Sequence, residues 1–457
     1  MMATKHVAIV GAGLMTQPLV DYFIERSGYQ VTLANRTVSK AREIIAGRSQ
    51  GKAVRWSVDE PELLDKVISE ADIVVSMVPK PVHTHVAIPC LRHRKSMVTT
   101  SYEIPELIAL DKEARQRGIL ILNETGESPG LDHMGTQMLL ADIRKDAGRV
   151  ISINSYGCGL PAFEFNRNPM GYTFSWDPRT VFVSAQTPAT YLKSGKRIDV
   201  PGDRLFEHFW LVDIEGLGTF ETYPNRDCTR YVKPFGLEDD VSFYRGLLRF
   251  SGYCNNMQYM LAMGLLDSEE EEDFEGKTYR QFTASLVGSE SVENLEGAVA
   301  RYLKIDDHAD IIHRLGWLGL FDDRQVVVKK GTRLDVLLDR MLEKMSYEPH
   351  ERDMTIVHIE ILAEFGEGRR EKRLATLYLE GSPGLGSAMS RSVALPAAIA
   401  TRAIVEGKIN ATGVQIPPTL PSLYILVLEE LKAFGFDFEQ ETISQMECRE
   451  RRFLGVR

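Results

Sequence analysis

Residues 5–16, KHVAIVGAGLMT, decide the fold. The stretch 5–10 is short and rich in valine and isoleucine, the pattern of a strand buried in a parallel sheet. Gly11, Ala12 and Gly13 follow it directly, and 14–26 then carries Leu19, Val20, Phe23 and Ile24 at helical spacing. Strand, glycine turn and helix in that order form the phosphate-cradling unit of a dinucleotide site. Gly11 permits the tight turn, and Gly13 lets the backbone approach a pyrophosphate held at the helix N-terminus. Thr16 stands where the usual pattern has a third glycine, which predicts slightly looser packing of helix on strand.

Beyond this unit the alternation continues. QVTLA (30–34), ADIVVSMVP (71–79), SMVTTSY (96–102) and GILILNE (118–124) read as strands. Helical segments near 39–46, 81–93 and 105–117 separate them. Strands and helices alternating at this spacing imply βαβ crossovers and a doubly wound parallel sheet, an α/β fold. After about Gly130 the character changes to aromatic and Gly/Pro-rich loops, then TIVHIEILAEF and KRLATLYLEG flanking GEGRRE as a long hairpin. In 241–345 the strings YRGLLRF, MQYMLAMGLL, TYRQFTASLV, LEGAVARYLK and LDVLLDRMLEKM read as helices, with SEEEEDFEG as a solvated acidic loop. AAIATRAIVEGKI and LYILVLEELKAFG are two more helices able to return over the first sheet. The expected division is 1–130 with 390–457 as a Rossmann domain, 131–240 with 346–389 as an α/β substrate and dimerisation domain with a mixed sheet, and 241–345 as a small all-helical insertion.

The 457 residues carry a formal charge of −10 and are 44% hydrophobic, which argues against a nucleic-acid or anionic-membrane partner. The N-terminus lacks the apolar core of a signal peptide, and no apolar run is long enough for a membrane span. Cys90, Cys158, Cys228, Cys254 and Cys448 are scattered, with no CxxC pair. A cytoplasmic protein without disulfides or structural zinc is expected.

The end of the second strand selects the cofactor. NAD sites place Asp or Glu there for the ribose 2′-hydroxyl, whereas this chain reads Asn35-Arg36-Thr37. Arg36 can pair a 2′-phosphate through a charge-assisted fork and Thr37 can add a hydrogen bond, so NADP is the expected cofactor. Leu14 and Met15 in the glycine loop, Ser57 and Val58, Met77, Val78 and Pro79, and Thr100 and Ser101 complete the expected cofactor-binding set.

Several strings together resemble the saccharopine dehydrogenase family of the NADP-dependent, L-glutamate-forming kind. They are GAGLMTQPLVDYF, LANRT, DIVVSMVP, VTTSYEIPEL, NETGESPGLDHM, YGCGLPAFEFNRNPMGYTFSW, YPNRD, RGLLRF, LGWLGLF and SAMSRSVALPAAIATRAIVEGKI. The resemblance implies hydride transfer at a carbon–nitrogen bond in lysine and 2-aminoadipate metabolism, in a homodimer. In the synthetic direction, glutamate and 2-aminoadipate 6-semialdehyde condense to an imine that NADPH reduces to saccharopine. It also implies a substrate site. Arg226 matches the family's carboxylate-binding arginine, with a fork that lysine cannot reproduce. Arg249 is a plausible second clamp with Leu247 and Leu248 alongside, Ser101 and Tyr102 match the junction of cofactor and substrate, and Trp176 matches a pocket residue able to pack on an aliphatic stem. Without the family, Arg226 beside Asp227 is also the pattern of a surface ion pair, and Tyr102 and Trp176 that of core aromatics.

The departures fall on the substrate side. Gly126-Glu127-Ser128-Pro129-Gly130 stands where the family has Gly-Leu-Asp-Pro-Gly, so a neutral Ser128 replaces a carboxylate able to hold a substrate ammonium. Tyr156-Gly157-Cys158-Gly159 displaces the family's cysteine by one position, and Asp177 and Pro178 replace small residues after Trp176. Two alternatives therefore stand beside saccharopine. One is a reductase of another carboxylated amine conjugate, such as a carboxypolyamine or an opine; the other is an NADP-binding scaffold without turnover. Ser128 and Cys158 stay in the expected substrate-binding set, although Cys158 has no visible activating base for a nucleophilic role. His83 and His85 have the spacing of some metal pairs but read better as structural or cofactor-proximal, and no metal is expected. Asp132-His133 reads equally as an acid–base pair or as a helix-capping aspartate beside a buried histidine. No general acid–base residue stands out.

Overall fold

The computed structural model describes residues 4–382 and 386–444. Cys448 lies outside the described residues. In chain order the first stretch runs β1 (His6–Val10), α1 (Gln17–Asp21), β2 (Gln30–Asn35), α2 (Val38–Ile45), β3 (Gly51–Arg55), α3 (Pro61–Glu70), β4 (Ile73–Ser76), α4 (His83–His93), β5 (Ser96–Thr99), α5 (Pro105–Ile108), α6 (Asp111–Arg117), β6 (Leu120–Leu122), α7 (Leu131–Lys145) and β7 (Arg149–Pro161). Then come α8 (Pro178–Ser184), β8 (Ala189–Lys193), β9 (Lys196–Val200), β10 (Trp210–Ile214), β11 (Gly218–Pro224), β12 (Ser242–Arg249) and α9 (Tyr253–Ala262). A short β13 (Glu272–Asp273), α10 (Tyr279–Leu286), α11 (Leu295–Leu303), α12 (Asp310–Leu318), β14 (Lys330–Gly331) and α13 (Arg333–Lys344) follow. The described residues end with β15 (Asp353–Glu364), β16 (Arg370–Glu380), α14 (Ala388–Val405), β17 (Gly413–Gln415), α15 (Pro421–Leu431) and β18 (Glu439–Ser444).

Two compact units emerge: 1–159 with 230–241 and 354–457, and 160–229 with 242–353. The first holds a seven-stranded sheet in the order β17-β6-β5-β4-β1-β2-β3, with parallel pairing throughout. Val7, Ala8, Ile9 and Val10 are all 0% exposed, as a strand covered on both faces requires. On one face Ala8, Val10, Val74, Met97 and Ile121 pack with Leu64, Ile68, Val86 and Leu91 of α3 and α4. Of the two C-terminal helices, α14 packs on β4, β5 and α1, whereas α15 packs on α14 and α7. The strand order reverses between β1 and β4, the switch point where such sheets bind ligands. The same unit carries the long antiparallel hairpin β15–β16, extended by β18.

In the second unit β10, β11 and β12 pair antiparallel, and β8 joins β12 and β9. Here one expectation is corrected: YRGLLRF is not a helix but strand β12. A short apolar run bounded by aromatics cannot be told from a buried helix by periodicity alone. The remaining helical strings of that stretch form α9, α10, α11 and α13.

Candidate active site

At the switch point Gly11 has φ +109, and a Cβ there would stand 2.5 Å from the Met77 carbonyl oxygen. No residue with a side chain fits so close to the neighbouring strand end. Gly13, by contrast, has nothing within 4 Å of its would-be Cβ, so the face of the loop is open for a ligand. Thr16 does more than replace a third glycine. Fully buried, its hydroxyl accepts from the Gly13 N–H and donates to the Gly11 carbonyl, both at 3.1 Å, bracing the turn from inside. Leu14 at the tip is 70% exposed. Ala12, Gly13, Leu14 and Met15 thus share the end of β1, and Met77, Val78 and Pro79 the end of β4. Ser57 and Val58 follow β3, and Thr100 and Ser101 follow β5. All lie past the C-terminal ends of parallel strands.

At the end of β2, Asn35 joins two loops: its Oδ1 accepts from the Ala12 N–H at 3.1 Å and its Nδ2 donates to the Thr37 carbonyl at 2.9 Å. Arg36 and Thr37 are exposed, and the Arg36 guanidinium has no carboxylate partner among the described residues. An open glycine loop beside an unneutralised fork suits a dinucleotide with an extra phosphate.

The ends of β5 and β6 are built differently. His83, 0% exposed at the start of α4, bridges two hydroxyls: Nδ1 lies 2.8 Å from Ser76 Oγ and Nε2 lies 2.8 Å from Ser101 Oγ. Burial, with Lys80 nearby, pushes its pKa down to about 4. The ring is therefore neutral near pH 7, accepting from one hydroxyl and donating to the other. His85 is exposed, and two residues along a helix point about 200° apart. The pair cannot share a metal.

Glu124, just past β6, is 0% exposed with φ +61. Its Oε2 accepts from the Tyr231 hydroxyl at 2.9 Å and lies 3.2 Å from His133 Nε2. Its Oε1 accepts from the Glu103 N–H at 3.1 Å and lies 3.3 Å from an Arg230 nitrogen. Burial alone would raise its pKa, but the His133 hydrogen bond and the charges of His133 and Arg230 outweigh it and hold the carboxyl below its ordinary range. Asp132 Oδ1 accepts from the N–H groups of Gly130 and His133 at 2.7 and 2.8 Å, in the first turn of α7. The aspartate thus braces a helix start, and the buried histidine meets the Glu124 carboxylate.

Ser128 donates to Asp132 Oδ2 at 3.1 Å. A Cβ on Gly157 would meet Glu127 Oε1 at 2.8 Å and Ser128 Cβ at 2.9 Å, so the displaced glycine lets β7 pass this loop closely. Cys158, next along β7, is 2% exposed.

In the second unit Arg226 has φ +62 and donates from Nη2 to Ser184 Oγ at 2.9 Å. Asp227 turns elsewhere, accepting from the Thr229 N–H and hydroxyl, so the surface ion pair with Arg226 does not form. Arg249 is 4% exposed inside a cage of Tyr172, Tyr223 and Tyr253, with its guanidinium carbon 5.1–5.8 Å from their ring centres. Because β12 is a strand, Leu247 and Leu248 face opposite sides of it, and only Leu247 shares a side with Arg249. Leu248 stays beside that arginine through its backbone, because its carbonyl accepts from Arg249 Nη1 at 2.8 Å. Asp177 accepts from the Thr180 N–H at 3.0 Å and Pro178 opens α8, so the residues after half-buried Trp176 serve a helix cap.

Sequence reasoning passed over Glu124, Arg230 and Tyr231. A carboxylate placed directly after the buried run ILILN was the available signal.

The saccharopine dehydrogenase NADP binding domain matches residues 7–122, and the saccharopine dehydrogenase C-terminal domain matches residues 126–436. The L-glutamate-forming, NADP(+) saccharopine dehydrogenase of Schizosaccharomyces pombe is 31% identical over 96% of this chain and 99% of its own. The enzyme of the same description from Saccharomyces cerevisiae is 32% identical over 96% of this chain and 100% of its own. The mitochondrial alpha-aminoadipic semialdehyde synthase of Rattus norvegicus is 30% identical over 97% of this chain but only 48% of its own. The solved apo structure of the histidine-tagged Saccharomyces cerevisiae saccharopine dehydrogenase (L-Glu forming) matches with a TM-score of 0.87 at 32% identity, covering 96% of this chain and 100% of that one. With the glycine loop, the parallel sheet and the second unit all inside these matches, this chain belongs to the saccharopine dehydrogenase family.

Proposed function

We propose that this protein is an NADP-dependent oxidoreductase of saccharopine metabolism. It converts saccharopine, NADP and water into glutamate, 2-aminoadipate 6-semialdehyde, NADPH and a proton, and runs the reverse imine reduction. The observation that carries the reading is the likeness to L-glutamate-forming saccharopine dehydrogenases over 96% of this chain and 99–100% of theirs.

NADP supplies the hydride acceptor. The chain's residues do the rest. Arg36 and Thr37 take the 2′-phosphate, and the loop from Gly11 to Met15 takes the pyrophosphate. Asn35 ties those two loops together, while Ser57, Val58, Met77, Val78, Pro79, Thr100 and Ser101 line the remainder of the cofactor. Ser101, held by His83, and Tyr102 stand at the nicotinamide end. Arg226 offers its fork to a substrate carboxylate, Trp176 packs on an aliphatic stem, and Ser128, Cys158, Leu247 and Leu248 complete the substrate set. Arg249, already caged by tyrosines, supports this set by fixing its surroundings. A homodimer in the cytoplasm is the assembly this reading expects.

A second reading is favoured by Ser128. Its hydroxyl is already donated to Asp132, and a neutral group cannot pair a substrate ammonium as a carboxylate would. Another carboxylated amine conjugate would suit that loop.

One assay separates the two. Purified protein is mixed with saccharopine and NADP, with saccharopine and NAD, and with other carboxylated secondary amines, and NADPH absorbance is followed. NADPH formation from saccharopine with NADP is expected, at least tenfold faster than with NAD. Tight NADPH binding with no turnover of saccharopine, but turnover of another conjugate, would establish the second reading instead.

A further inference from the structure

The segment 101–103, which leads from β5 towards α5, is gripped from several directions. The Ser101 hydroxyl lies 2.8 Å from His83 Nε2, and the Lys80 ammonium stands 4.8 Å from the centre of the Tyr102 ring. Glu124 supplies two more contacts. Its backbone N–H donates to the Ser101 carbonyl at 3.0 Å, and its carboxylate accepts from the Glu103 N–H at 3.1 Å. One residue therefore spans the segment, holding the backbone on either side of Tyr102.

Glu124 does so from a left-handed conformation that a glycine would adopt without strain. Such strain persists where surroundings over-determine a side chain, and here they do. Tyr231 and His133 hold the other carboxylate oxygen, Oε2, and Arg230 stands beside Oε1. Arg230 also donates to Glu103 Oε2 at 2.8 Å, so the segment and its anchor share one cation. Although Arg230 is exposed, Tyr231 and His133 are buried and the Glu124 carboxylate is 0% exposed. It cannot meet a substrate directly. What it can do is transmit a fixed position to the segment, and site groups work only when held within about half an ångström.

We propose that Glu124 is a positioning residue for the reaction, fixing the backbone of 101–103 and through it the Ser101 hydroxyl and the Tyr102 ring. The inference rests on the placement of Ser101 and Tyr102 at the nicotinamide end. Arg230, Tyr231 and His133 act through Glu124 and hold its carboxylate in one orientation.

The test uses Glu124→Gln, Glu124→Ala and Ser101→Ala in the full chain. Three readouts are taken: turnover of saccharopine with NADP, KM for NADP, and inhibition by adenosine 2′,5′-bisphosphate, which reaches Arg36 but not residues 101–103. Glu124→Ala should lower kcat by 30-fold or more with bisphosphate inhibition within twofold of the parent. Glu124→Gln keeps an oxygen for the Glu103 N–H and should recover at least fivefold of that loss. Should the alanine variant not fold, the glutamine variant carries the test alone, with an expected kcat loss of 3- to 10-fold at unchanged bisphosphate inhibition. Parent-like kcat in the glutamine and alanine variants would overturn the proposal. So would bisphosphate binding that weakens in step with kcat, because that marks general damage. Full activity in Ser101→Ala would refute the placement of Ser101 itself, whereas lost activity there beside intact Glu124 variants would refute only the role of Glu124.

Discussion

The ends of β1 and β2 and the ends of β5 and β6 lie on the same edge of one parallel sheet, yet they treat charge in opposite ways. At β1 and β2 the polar groups face outward: Arg36 is exposed, Gly13 fronts open space, and Leu14 is 70% exposed. At β5 and β6 they are sealed in, with His83 and Glu124 0% exposed and His133 1%. An exposed cation costs the folded chain little and gains its value only when a ligand arrives. A buried carboxylate or imidazole must be satisfied in the folded state itself. One end of the edge therefore stores affinity, and the other stores geometry. Substitutions should show this division, because damage at the open end depends on ligand whereas damage at the sealed end is visible without it.

The largest effect is expected from Arg36→Asp. It removes the fork for the 2′-phosphate and puts a like charge in its place. NADP affinity should fall roughly a thousandfold, about 4 kcal/mol, and the unliganded melting temperature should stay within about 1 °C. NAD, which lacks the phosphate, should bind within a few-fold of the parent. Titration by intrinsic fluorescence beside a thermal melt checks both parts. A fall in Tm as large as that of a core substitution would erase the distinction between the two ends.

The open end was also the legible end. Gly11, Gly13 and Arg36 sit in a local string whose spacing carries its own geometry, so the sequence alone points to a nucleotide and to its extra phosphate. The parallel sheet was legible for the same reason, since strands buried on both faces read as unbroken apolar runs. Strand β3 escaped notice because it is an edge strand, with no fully buried residue in GKAVR. Strand β12 was misread because two leucines and flanking aromatics fit either period. The sealed cluster was illegible for a different reason. Glu124 and Tyr231 are 107 positions apart, and no local pattern announces that a tyrosine will return to a distant glutamate. His83 reads from sequence as structural or cofactor-proximal, but the serines it bridges, Ser76 and Ser101, belong to two other segments that no local string connects to it.

A smaller effect, confined to the sealed end, follows from His83. Its pKa is pushed from the ordinary 6.5 down to about 4, chiefly by burial. The unfolded chain therefore binds a proton between those values that the folded chain refuses. Stability from this group is fully present above pH 6.5 and is lost as the pH falls towards 4. The difference corresponds to about 3 kcal/mol at the low end of that window. Glu124 works in the same direction but lower, because its carboxyl is held below the ordinary 4.5 and loses its contribution only beneath that value. Urea unfolding across pH 7 to 4 should show the steeper slope in the parent and a flatter one in His83→Gln. Equal slopes would mean that the imidazole is not kept neutral by the fold.

The smallest effect tests the border between the two behaviours, at Asn35. This residue is half-buried and ties Ala12 to Thr37 through one accepted and one donated hydrogen bond. Asn35→Ala leaves groups that water can reach, so stability should fall by only about 1 kcal/mol. Asn35→Asp is more telling. The carboxylate can still accept from the Ala12 N–H but cannot donate to the Thr37 carbonyl, and it brings a negative charge next to Arg36. That charge should neutralise part of the attraction for the 2′-phosphate and weaken NADP about tenfold, close to 1.4 kcal/mol. NAD affinity should change by less than threefold, since a carboxylate near the ribose is what NAD sites employ. Equal losses for both cofactors would show that the loop tie alone matters and that Arg36 does not read the phosphate. A loss confined to NADP would show that affinity at the open end is set by charge, with the hydrogen bonds of Asn35 only setting its aim.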